Sequence, residues 1–248
     1  MPIRFVDIHK SFGTKAVLRG VSFDVADGEC FFIIGASGVG KSVLIKHLIG
    51  LLRPDAGDIF LGDEEVSRLE EEALYPVRMK CAMVFQNSTL FDSMTCAQNV
   101  ALPLRKHRGL SMKSALAEAR RRLEQVRMEG FADAYPAEIG DGMRKRVAIA
   151  RALTLEPQYV LFDEPTTSLD PVSARRTDAL IRRLCDELDV TSIVVSHDLT
   201  SIFSIADRIA MLYKGNVRML GTPDEFRTTD DPVVRQFIEG RAQGPMEV

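Results

Sequence analysis

Residues 30–52 read CFFIIGASGVGKSVLIKHLIGLL, and this stretch decides the fold. Its first five residues form a short apolar run that is typical of a buried strand. Residues 35–42, GASGVGKS, then match the pattern G-x-x-x-x-G-K-[ST] at every position. The apolar residues that follow predict a buried helix. A strand, a glycine-rich loop and a helix in this order predict a phosphate-binding loop in an α/β protein.

In this interpretation the loop residues bind a nucleotide together with Mg²⁺. Glycines let the backbone curl so that its N–H groups point at phosphate oxygens, and the next helix presents its N-terminus to the same anion. Lys41 would reach the β- and γ-phosphates, and the Ser42 hydroxyl would bind Mg²⁺. The alternative is a glycine turn with an incidental lysine. The predicted nucleotide-binding residues of the loop are Gly35, Ala36, Ser37, Gly38, Val39, Gly40, Lys41 and Ser42.

A second apolar run, YVLFDE at residues 159–164, ends in two acidic residues. Ligands of open α/β sheets bind at the carboxyl ends of the strands, where this run would place both acids. Asp163 suits an Mg²⁺ site, and Glu164 suits the polarisation of an attacking water. Two acidic residues after a strand, taken alone, would more often be solvent-exposed residues at the end of that strand. Together with the upstream loop, they predict a site of nucleotide hydrolysis.

Short apolar strands alternate with helices in both outer parts of the chain, whereas the middle part is helical. This order predicts an α/β fold with a mostly parallel sheet that is covered on both faces. We predict one domain over residues 1–248. A core with a small antiparallel β subdomain would occupy residues 1–90 and 157–221, a helical subdomain residues 91–156, and a polar C-terminal tail residues 222–248.

Composition narrows the classes of function. The net charge of -3 provides no global field to attract nucleic acid, so we expect no nucleic-acid partner. The cysteines Cys30, Cys81, Cys96 and Cys185 lack metal-ligand spacing and are expected to be reduced thiols of a cytoplasmic protein. The longest apolar runs fall short of the ~20 residues of a membrane helix, and the N-terminus lacks the apolar core of a secretion signal. We therefore expect no direct membrane insertion.

Further motifs accompany the phosphate loop and the acidic pair in a fixed order. They are Phe12, Gln86 in MVFQNS, IGDGM at residues 139–143, Asp170 in SLD, and His197 in VVSHD. This series resembles the ATP-binding cassette (ABC) ATPase family over nearly the whole chain. The resemblance implies a P-loop NTPase (RecA-like) core that uses ATP and Mg²⁺.

The resemblance also implies a role for each motif. Phe12 would stack on the adenine, Gln86 would sense Mg²⁺ and the attacking water, and His197 would contact the γ-phosphate. Asp170 would cross a dimer interface. Each residue has an alternative: Phe12 as a core residue, His197 as a structural histidine, and Asp170 as the cap of a helix that begins with Pro171. The implied catalytic residues are Glu164, His197, Gln86 and Lys41, and the implied metal site is Ser42, Gln86 and Asp163.

The segment IGDGM occupies the place of the family's signature loop, which normally reads close to Leu-Ser-Gly-Gly-Gln. Gly140 stands at the serine position and Asp141 at the first of the paired glycines. The resemblance implies that two chains pair head to tail. Residues 139–143 of one chain would then enclose an ATP bound by Lys41 and Glu164 of the other.

Asp141 is the unusual residue of this loop. A carboxylate ~4 Å from a phosphate charge would cost about 4 kcal/mol at an effective dielectric constant of ~20. We therefore predict that its side chain points away from the nucleotide, caps the following helix and offsets the basic residues 144–146. The N–H groups of Gly140 and Gly142 would remain available to the nucleotide. A non-hydrolysing subunit is the alternative.

Residues 135–153 and 196–217, and the tail segment DPVVRQFIEGRAQGP, are similar to the ATPase of Mla-type (Mce-associated) phospholipid transporters. This resemblance implies a homodimer that works with an integral membrane permease and an Mce-type lipid-binding protein. It places the chain at the cytoplasmic face of the bacterial inner membrane, with a C-terminal extension that reaches the partner ATPase.

Other functions compete with phospholipid transport. Uptake of amino acids or other small solutes by an ABC transporter is one, and a nucleotide-dependent clamp that does not hydrolyse ATP is another. ABC proteins of DNA repair or translation need long coiled coils, zinc-binding cysteines or two cassettes in one chain, and the sequence has none of these features.

Overall fold

The computed structural model describes residues 2–188 and 190–246. Its strands are β1 (Ile3–Phe12), β2 (Lys15–Val25), β3 (Cys30–Ile34), β4 (Ala56–Leu61), β5 (Glu64–Glu65), β6 (Cys81–Val84), β7 (Tyr159–Asp163), β8 (Thr191–Val195), β9 (Arg208–Tyr213) and β10 (Asn216–Gly221). Its helices are α1 (Lys41–Leu48), α2 (Glu71–Lys80), α3 (Cys96–His107), α4 (Met112–Gln125), α5 (Asp141–Leu153), α6 (Pro171–Leu188), α7 (Leu199–Ile205), α8 (Pro223–Thr228) and α9 (Pro232–Glu239).

The larger sheet has the strand order β10-β9-β3-β8-β7-β6. Its strands run parallel except for β10, which pairs antiparallel with β9 at the edge. All five residues of β3 are buried, and they alternate between two cores. Phe32 faces one core while Phe31 and Ile33 face the other. The strand is therefore a continuous apolar run, because both faces of the sheet are covered.

The smaller sheet, with the order β2-β1-β4-β5, is antiparallel throughout. Aromatic rings connect it to the larger sheet. The ring centroids of Phe5 and Phe23 are 4.7 Å apart, and those of Phe23 and Phe31 are 5.1 Å apart. Contacts of this kind contribute beyond the area they bury. The predicted fold class, a mostly parallel core with a small antiparallel β subdomain, is confirmed.

Helices α3, α4 and α5 lie in the segment predicted to be helical, and their apolar faces share one core with β3 and β7. The N-termini of two of these helices are capped by hydroxyl side chains. Thr95 forms a capping box with Gln98 at the start of α3, and the Ser111 hydroxyl accepts a hydrogen bond from the Ser114 N–H at the start of α4. This helical subdomain is confirmed as part of the fold class.

The tail is more ordered than the sequence suggested. Helix α8 forms in a segment predicted to be polar tail, where Thr222 and Glu225 make a capping box and Pro223 is the first helical residue. Helix α9 contains the apolar segment VVRQFI, and Val234 is fully buried in the domain's own core. Residues 247 and 248 of the predicted tail lie outside the described residues. Whether the tail also reaches a second chain stays a prediction.

The cysteines are buried free thiols. Among the described helices, none is both long enough and apolar enough to cross a membrane.

A buried polar network joins α6 to the start of α7, directly after His197. The carboxylate of Asp178 on α6 accepts a hydrogen bond from the Ser201 hydroxyl at 3.0 Å and pairs with Arg175 at 2.8 Å. Arg175 also pairs with Asp198, which caps α7. Burial is the largest influence on Asp178 and raises its pKa from 3.8 to about 6.

Because the pKa of Asp178 is raised, ionisation of its buried carboxyl group should destabilise the folded protein as the pH rises. The substitution Asp178→Asn should remove this destabilisation. The folded state holds the Asp178 proton to higher pH than the unfolded state, so its contribution to stability falls as the pH rises from about 4 to about 6. We expect the unfolding free energies of the two proteins to diverge by roughly 2–3 kcal/mol between pH 4 and pH 7, in favour of the variant. Urea unfolding at a series of pH values measures this difference, and parallel pH curves would contradict it.

Candidate active site

The carboxyl ends of four neighbouring parallel strands meet at one edge of the larger sheet. The phosphate loop leaves β3, Gln86 follows β6, Asp163 ends β7, and Glu164 follows it directly. His197 lies two residues after β8. These strands are adjacent in the sheet, so side chains that are far apart in the sequence converge there.

A cavity of about 740 Å³ opens at this edge. Predicted residues that line it are Phe12, residues 35–38 and 40–42, Gln86, Glu164 and His197. Val39 is the loop residue that instead packs its side chain against the apolar core between the two sheets. A cavity of several hundred Å³ is the size of a small-molecule site. The structure thus brings most of the predicted site residues together.

The phosphate loop depends on glycine at two positions. Gly35 has φ 138°, and a Cβ atom there would lie 2.3 Å from the carbonyl oxygen of Leu212. Gly40 has φ 112°, and its Cβ would lie 2.7 Å from the Leu18 side chain. Any other residue would therefore strain the backbone and clash with its surroundings.

Lys41 is buried in the loop and donates to the carbonyl oxygens of Gly35 at 2.8 Å and Ala36 at 3.1 Å. Burial lowers its pKa, although the carboxylates of Glu164 and Asp163 partly oppose this effect. An ammonium group held by neutral carbonyls beside a glycine-rich turn is suited to binding a phosphate group. These carbonyl contacts place the ammonium group at the turn of the loop.

The Ser42 hydroxyl donates to Asp163 Oδ1 at 2.6 Å. A hydroxyl and a carboxylate are the hard oxygen donors that suit Mg²⁺, which commonly uses one or two protein groups together with waters and phosphate oxygens. Gln86 lines the same cavity. The residues present therefore fit an Mg²⁺–nucleotide complex.

Glu164 and His197 form a pair at the cavity wall. Nδ1 of His197 lies 2.7 Å from Oε2 of Glu164, and the Thr167 hydroxyl donates to the same oxygen at 3.1 Å. Glu164 has φ 52°, a left-handed conformation that is uncommon for a residue with a side chain. A hydrogen bond of 2.9 Å from its N–H to the Val195 carbonyl holds this conformation. Strained residues of this kind concentrate at functional sites.

Phe12 lies at the end of β1, and its half-exposed ring faces the cavity. It is therefore not a core residue, and its predicted stacking on adenine stays a prediction. Sequence reasoning missed Lys15 and Val17 of β2, Val43 of α1 and Phe237 of α9, which also line the cavity. Lys15 and Val17 follow Phe12 closely in the hairpin, a spacing that could have indicated them. No sequence signal pointed to Phe237, because its position depends on how the tail packs.

The loop at residues 140–142 lies apart from this cavity. It lines a separate space of about 380 Å³ together with Leu169 and Asp170, and neither Lys41 nor Glu164 lines that space. Asp170 Oδ1 accepts from the N–H groups of Val172 and Ser173, both at 3.0 Å, so it caps α6 as predicted. One chain therefore carries two separate groups of predicted nucleotide-binding residues.

The predicted capping role of Asp141 is wrong. Helix α5 begins at Asp141 itself, its N-cap residue is Gly140, and no side chain caps it. The carboxylate of Asp141 instead pairs with Arg144, one turn further along the helix. A basic side chain within reach outcompetes the local N–H groups, because hydrogen bonds between charged groups are stronger than those to neutral donors. The predicted offset of the basic residues thus takes the form of this ion pair.

The two glycines of the loop have different surroundings. A Cβ at Gly142 would lie 2.9 Å from the Cβ and Oγ of Ser173, so glycine is needed for the close approach of α5 to α6. A Cβ at Gly140 would meet no atom within 4 Å, and its φ of -73° suits any residue. The structure would therefore accept a serine at position 140.

A family model described as ABC transporter matches residues 18–167. The chain belongs to the ABC transporter family. Cassettes of this family bind ATP with Mg²⁺, hydrolyse it and act as dimers with membrane permeases. The resemblance given by the sequence motifs is confirmed, and so are ATP and Mg²⁺ as cofactors and ATP hydrolysis as the activity of the family.

The curated relatives of this ABC protein differ in their transport functions. "Probable ribonucleotide transport ATP-binding protein mkl" of Mycobacterium leprae is 38% identical over 96% of this chain and 68% of its own length. "Methionine import ATP-binding protein MetN" of Mesorhizobium japonicum is 41% identical over 87% of this chain and 59% of its own length. "Intermembrane phospholipid transport system ATP-binding protein MlaF" of Escherichia coli is 36% identical over 97% of this chain and 89% of its own length.

A solved structure of an ABC cassette has the same fold. The ATP-binding cassette MJ0796, as a dimer in a post-hydrolysis state bound to ADP and Pi, matches with a TM-score of 0.81 and 30% identity. The match covers 89% of this chain and 98% of that chain.

The open surroundings of Gly140 give a test of the unusual loop. In Gly140→Ser, the hydroxyl occupies a helix N-cap, which favours serine over glycine by a few tenths of a kcal/mol. If the loop binds the nucleotide of a second chain, the hydroxyl also adds a phosphate hydrogen bond of about 0.5–1.5 kcal/mol. We therefore expect kcat/KM for ATP to rise roughly two- to tenfold.

Gly130→Ser is the matched control, since Gly130 also has open space around its Cβ position but lies outside both cavities. An unchanged kcat/KM in Gly140→Ser, or an equal rise in the control, would show that the loop does not contact nucleotide.

Proposed function

We propose that this chain is the ATP-hydrolysing subunit of a transporter that moves phospholipids across the bacterial envelope. Two copies would pair beneath an integral membrane permease at the cytoplasmic face of the inner membrane. An Mce-type lipid-binding protein would complete the assembly. The single observation that carries this proposal is the similarity to Escherichia coli MlaF, which extends over 97% of this chain and 89% of that protein.

Import of a small solute is the second candidate. The similarity to the methionine importer subunit has a higher identity, 41%, but covers 59% of that protein. The mycobacterial relatives are associated by name with ribonucleotide transport. We favour phospholipid transport because the MlaF similarity covers more of both chains than the mkl and MetN similarities do, and because residues 231–245 of the tail resemble that group.

For the hydrolytic reaction we assign roles to the residues that line the cavity. Lys41 would leave its carbonyl partners to bind the β- and γ-phosphates, while Ser42 and Asp163 would hold the Mg²⁺ that neutralises the phosphate charge. Glu164 would orient and polarise the attacking water. His197 would fix the carboxylate of Glu164 through their contact of 2.7 Å and also face the γ-phosphate.

The separation of the two groups of residues supports a homodimer. The loop at 140–142 and Asp170 line one cavity, and the phosphate loop lines the other. In a head-to-tail pair, each chain would supply the first group to the nucleotide that its partner holds with the second. Two ATP sites would then form only when the chains associate.

Glu164→Gln tests hydrolysis against the non-hydrolysing clamp. The amide keeps the size of the carboxylate and can still accept from Thr167, but it is a poor base. We expect phosphate release to fall at least 100-fold, in line with the ~10²–10⁴ that a positioned base contributes, while ATP affinity changes less than threefold. Steady-state phosphate release and fluorescent-nucleotide binding provide the two measurements.

Glu187→Gln is the control, because Glu187 lies near the end of α6 and is 65% exposed at its side chain. Absence of phosphate release by the unmodified protein would support the clamp. Equal rates for the unmodified protein and Glu164→Gln would contradict the role of Glu164.

The substrate requires a separate experiment. The tagged chain would be purified from membranes with its permease, reconstituted in proteoliposomes, and supplied with fluorescent phospholipid or radiolabelled methionine. We expect ATP-dependent movement of the phospholipid that is lost in Glu164→Gln. ATP-dependent methionine uptake without phospholipid movement would establish the second candidate instead.

A further inference from the structure

Lys145 of α5 is a charged residue inside the protein, with 2% of its surface exposed. Its ammonium nitrogen donates to the carbonyl oxygen of Gln86 at 2.6 Å and to that of Phe85 at 3.1 Å. Lysine is almost never fully buried unless its charge is satisfied. Here two backbone carbonyls of the segment that carries Gln86 satisfy it.

This arrangement is not explained by a gain in stability. Burial removes the ammonium group from water, and no carboxylate forms an ion pair with it in the described part of the chain. Removing a charge from water costs free energy, and hydrogen bonds to neutral carbonyls offset that cost only in part. A neutral side chain of similar volume would avoid this penalty.

The position of Lys145 connects the two cavities. Helix α5 begins at Asp141, so the loop at 140–142 and Lys145 belong to one rigid turn of helix. Gln86, at the other end of the hydrogen bonds, lines the cavity with the phosphate loop. The loop at residues 140–142 would contact the partner's nucleotide, and Gln86 would contact the nucleotide of its own chain. The Lys145 side chain therefore connects these two groups.

We propose that Lys145 is a positioning residue for ATP hydrolysis, which fixes Gln86 relative to the loop at 140–142 so that the two half-sites move together. This inference rests on the proposed function, because it assigns Lys145 a role in the same hydrolytic site. Lys145 itself lines neither of the two cavities, but it lines a third space of about 340 Å³ together with Gln86 and Asp141. It acts through the backbone of residues 85 and 86.

Arg151 offers a matched control on the same helix. Its guanidinium donates to the carbonyl oxygens of Thr89 at 3.0 Å and Ser88 at 3.3 Å. Arg151 thus supports the segment at residues 85–89, which Lys145 also contacts, by the same kind of hydrogen bond. Its contacts begin two residues beyond Gln86. If α5 only supported the segment at residues 85–89 in general, loss of Lys145 and loss of Arg151 would have the same effect on hydrolysis.

The first test compares Lys145→Met, Lys145→Gln and Arg151→Met in the full chain. Methionine keeps the volume of lysine without any donor, while glutamine keeps a donor for one carbonyl. We expect Lys145→Met to lower kcat five- to twentyfold with KM for ATP changed less than twofold. Lys145→Gln should lie between it and the unmodified protein, and Arg151→Met should lower kcat less than threefold.

The second test combines Lys145→Met with Gln86→Ala. If Lys145 acts by positioning Gln86, it has nothing to position once that side chain is absent, and the double variant should have the kcat of Gln86→Ala within twofold. An independent structural role would instead multiply the two losses. Circular dichroism and thermal unfolding confirm that each variant folds, and Lys145→Gln replaces Lys145→Met in every comparison if the latter does not.

Three results would overturn the inference: an unchanged kcat in Lys145→Met, an equal loss in Arg151→Met, or a full further loss in the Gln86→Ala background. These results are distinct from failure of the proposed function. If the proposed function fails, the unmodified protein will release no phosphate. If the unmodified protein releases phosphate and Lys145→Met has the same kcat, only the role of Lys145 is contradicted.

Discussion

The site depends on the close approach of the phosphate loop to β9. At Gly35, the position of a Cβ atom lies 2.3 Å from the carbonyl oxygen of Leu212, so the chain can turn out of β3 only where the side chain is absent. This turn sets the start of α1 and therefore the place of Lys41 and Ser42. Since β8 pairs in parallel with β3 and β7 pairs in parallel with β8, Asp163, Glu164 and His197 reach the same edge. One steric constraint in the sheet thus positions the whole cavity.

A second constraint separates the groups of functional residues. Helix α5 approaches α6 so closely that Gly142 cannot carry a side chain beside Ser173, and this contact holds the loop at 140–142 next to Asp170. The loop lines a cavity that Lys41 does not line, and Asp141 also lines a third space together with Gln86. In the proposed head-to-tail pairing, each chain by itself would hold two incomplete sites. Hydrogen bonds from Lys145 to the carbonyls of residues 85 and 86 cross between them, and they offer a direct path for the state of one site to affect the other.

The sequence predicted the parts of the structure whose signals are local. The strand and loop at residues 30–42 and the acidic end of β7 each carry their evidence within a few neighbouring residues, and the fold class followed from them. The contacts of Asp141 were not predictable in the same way. Asp141 lies where a cap was expected, but Arg144 one turn later binds its carboxylate and the helix begins one residue earlier than the cap would allow. Phe237 and Lys145 owe their positions to tertiary packing, which periodicity cannot reveal.

The most direct test of the account is cross-linking between the two half-sites. The native cysteines are buried, so cysteines introduced as Ser37→Cys in the phosphate loop and Gly140→Cys in the other loop, both at exposed positions, would be the reactive thiols. In a Glu164→Gln background that retains ATP, a mixture of the two single variants should form a cross-linked heterodimer only when MgATP is present. Cross-links that form equally without nucleotide, or that join like variants instead of unlike ones, would contradict a site shared between two chains.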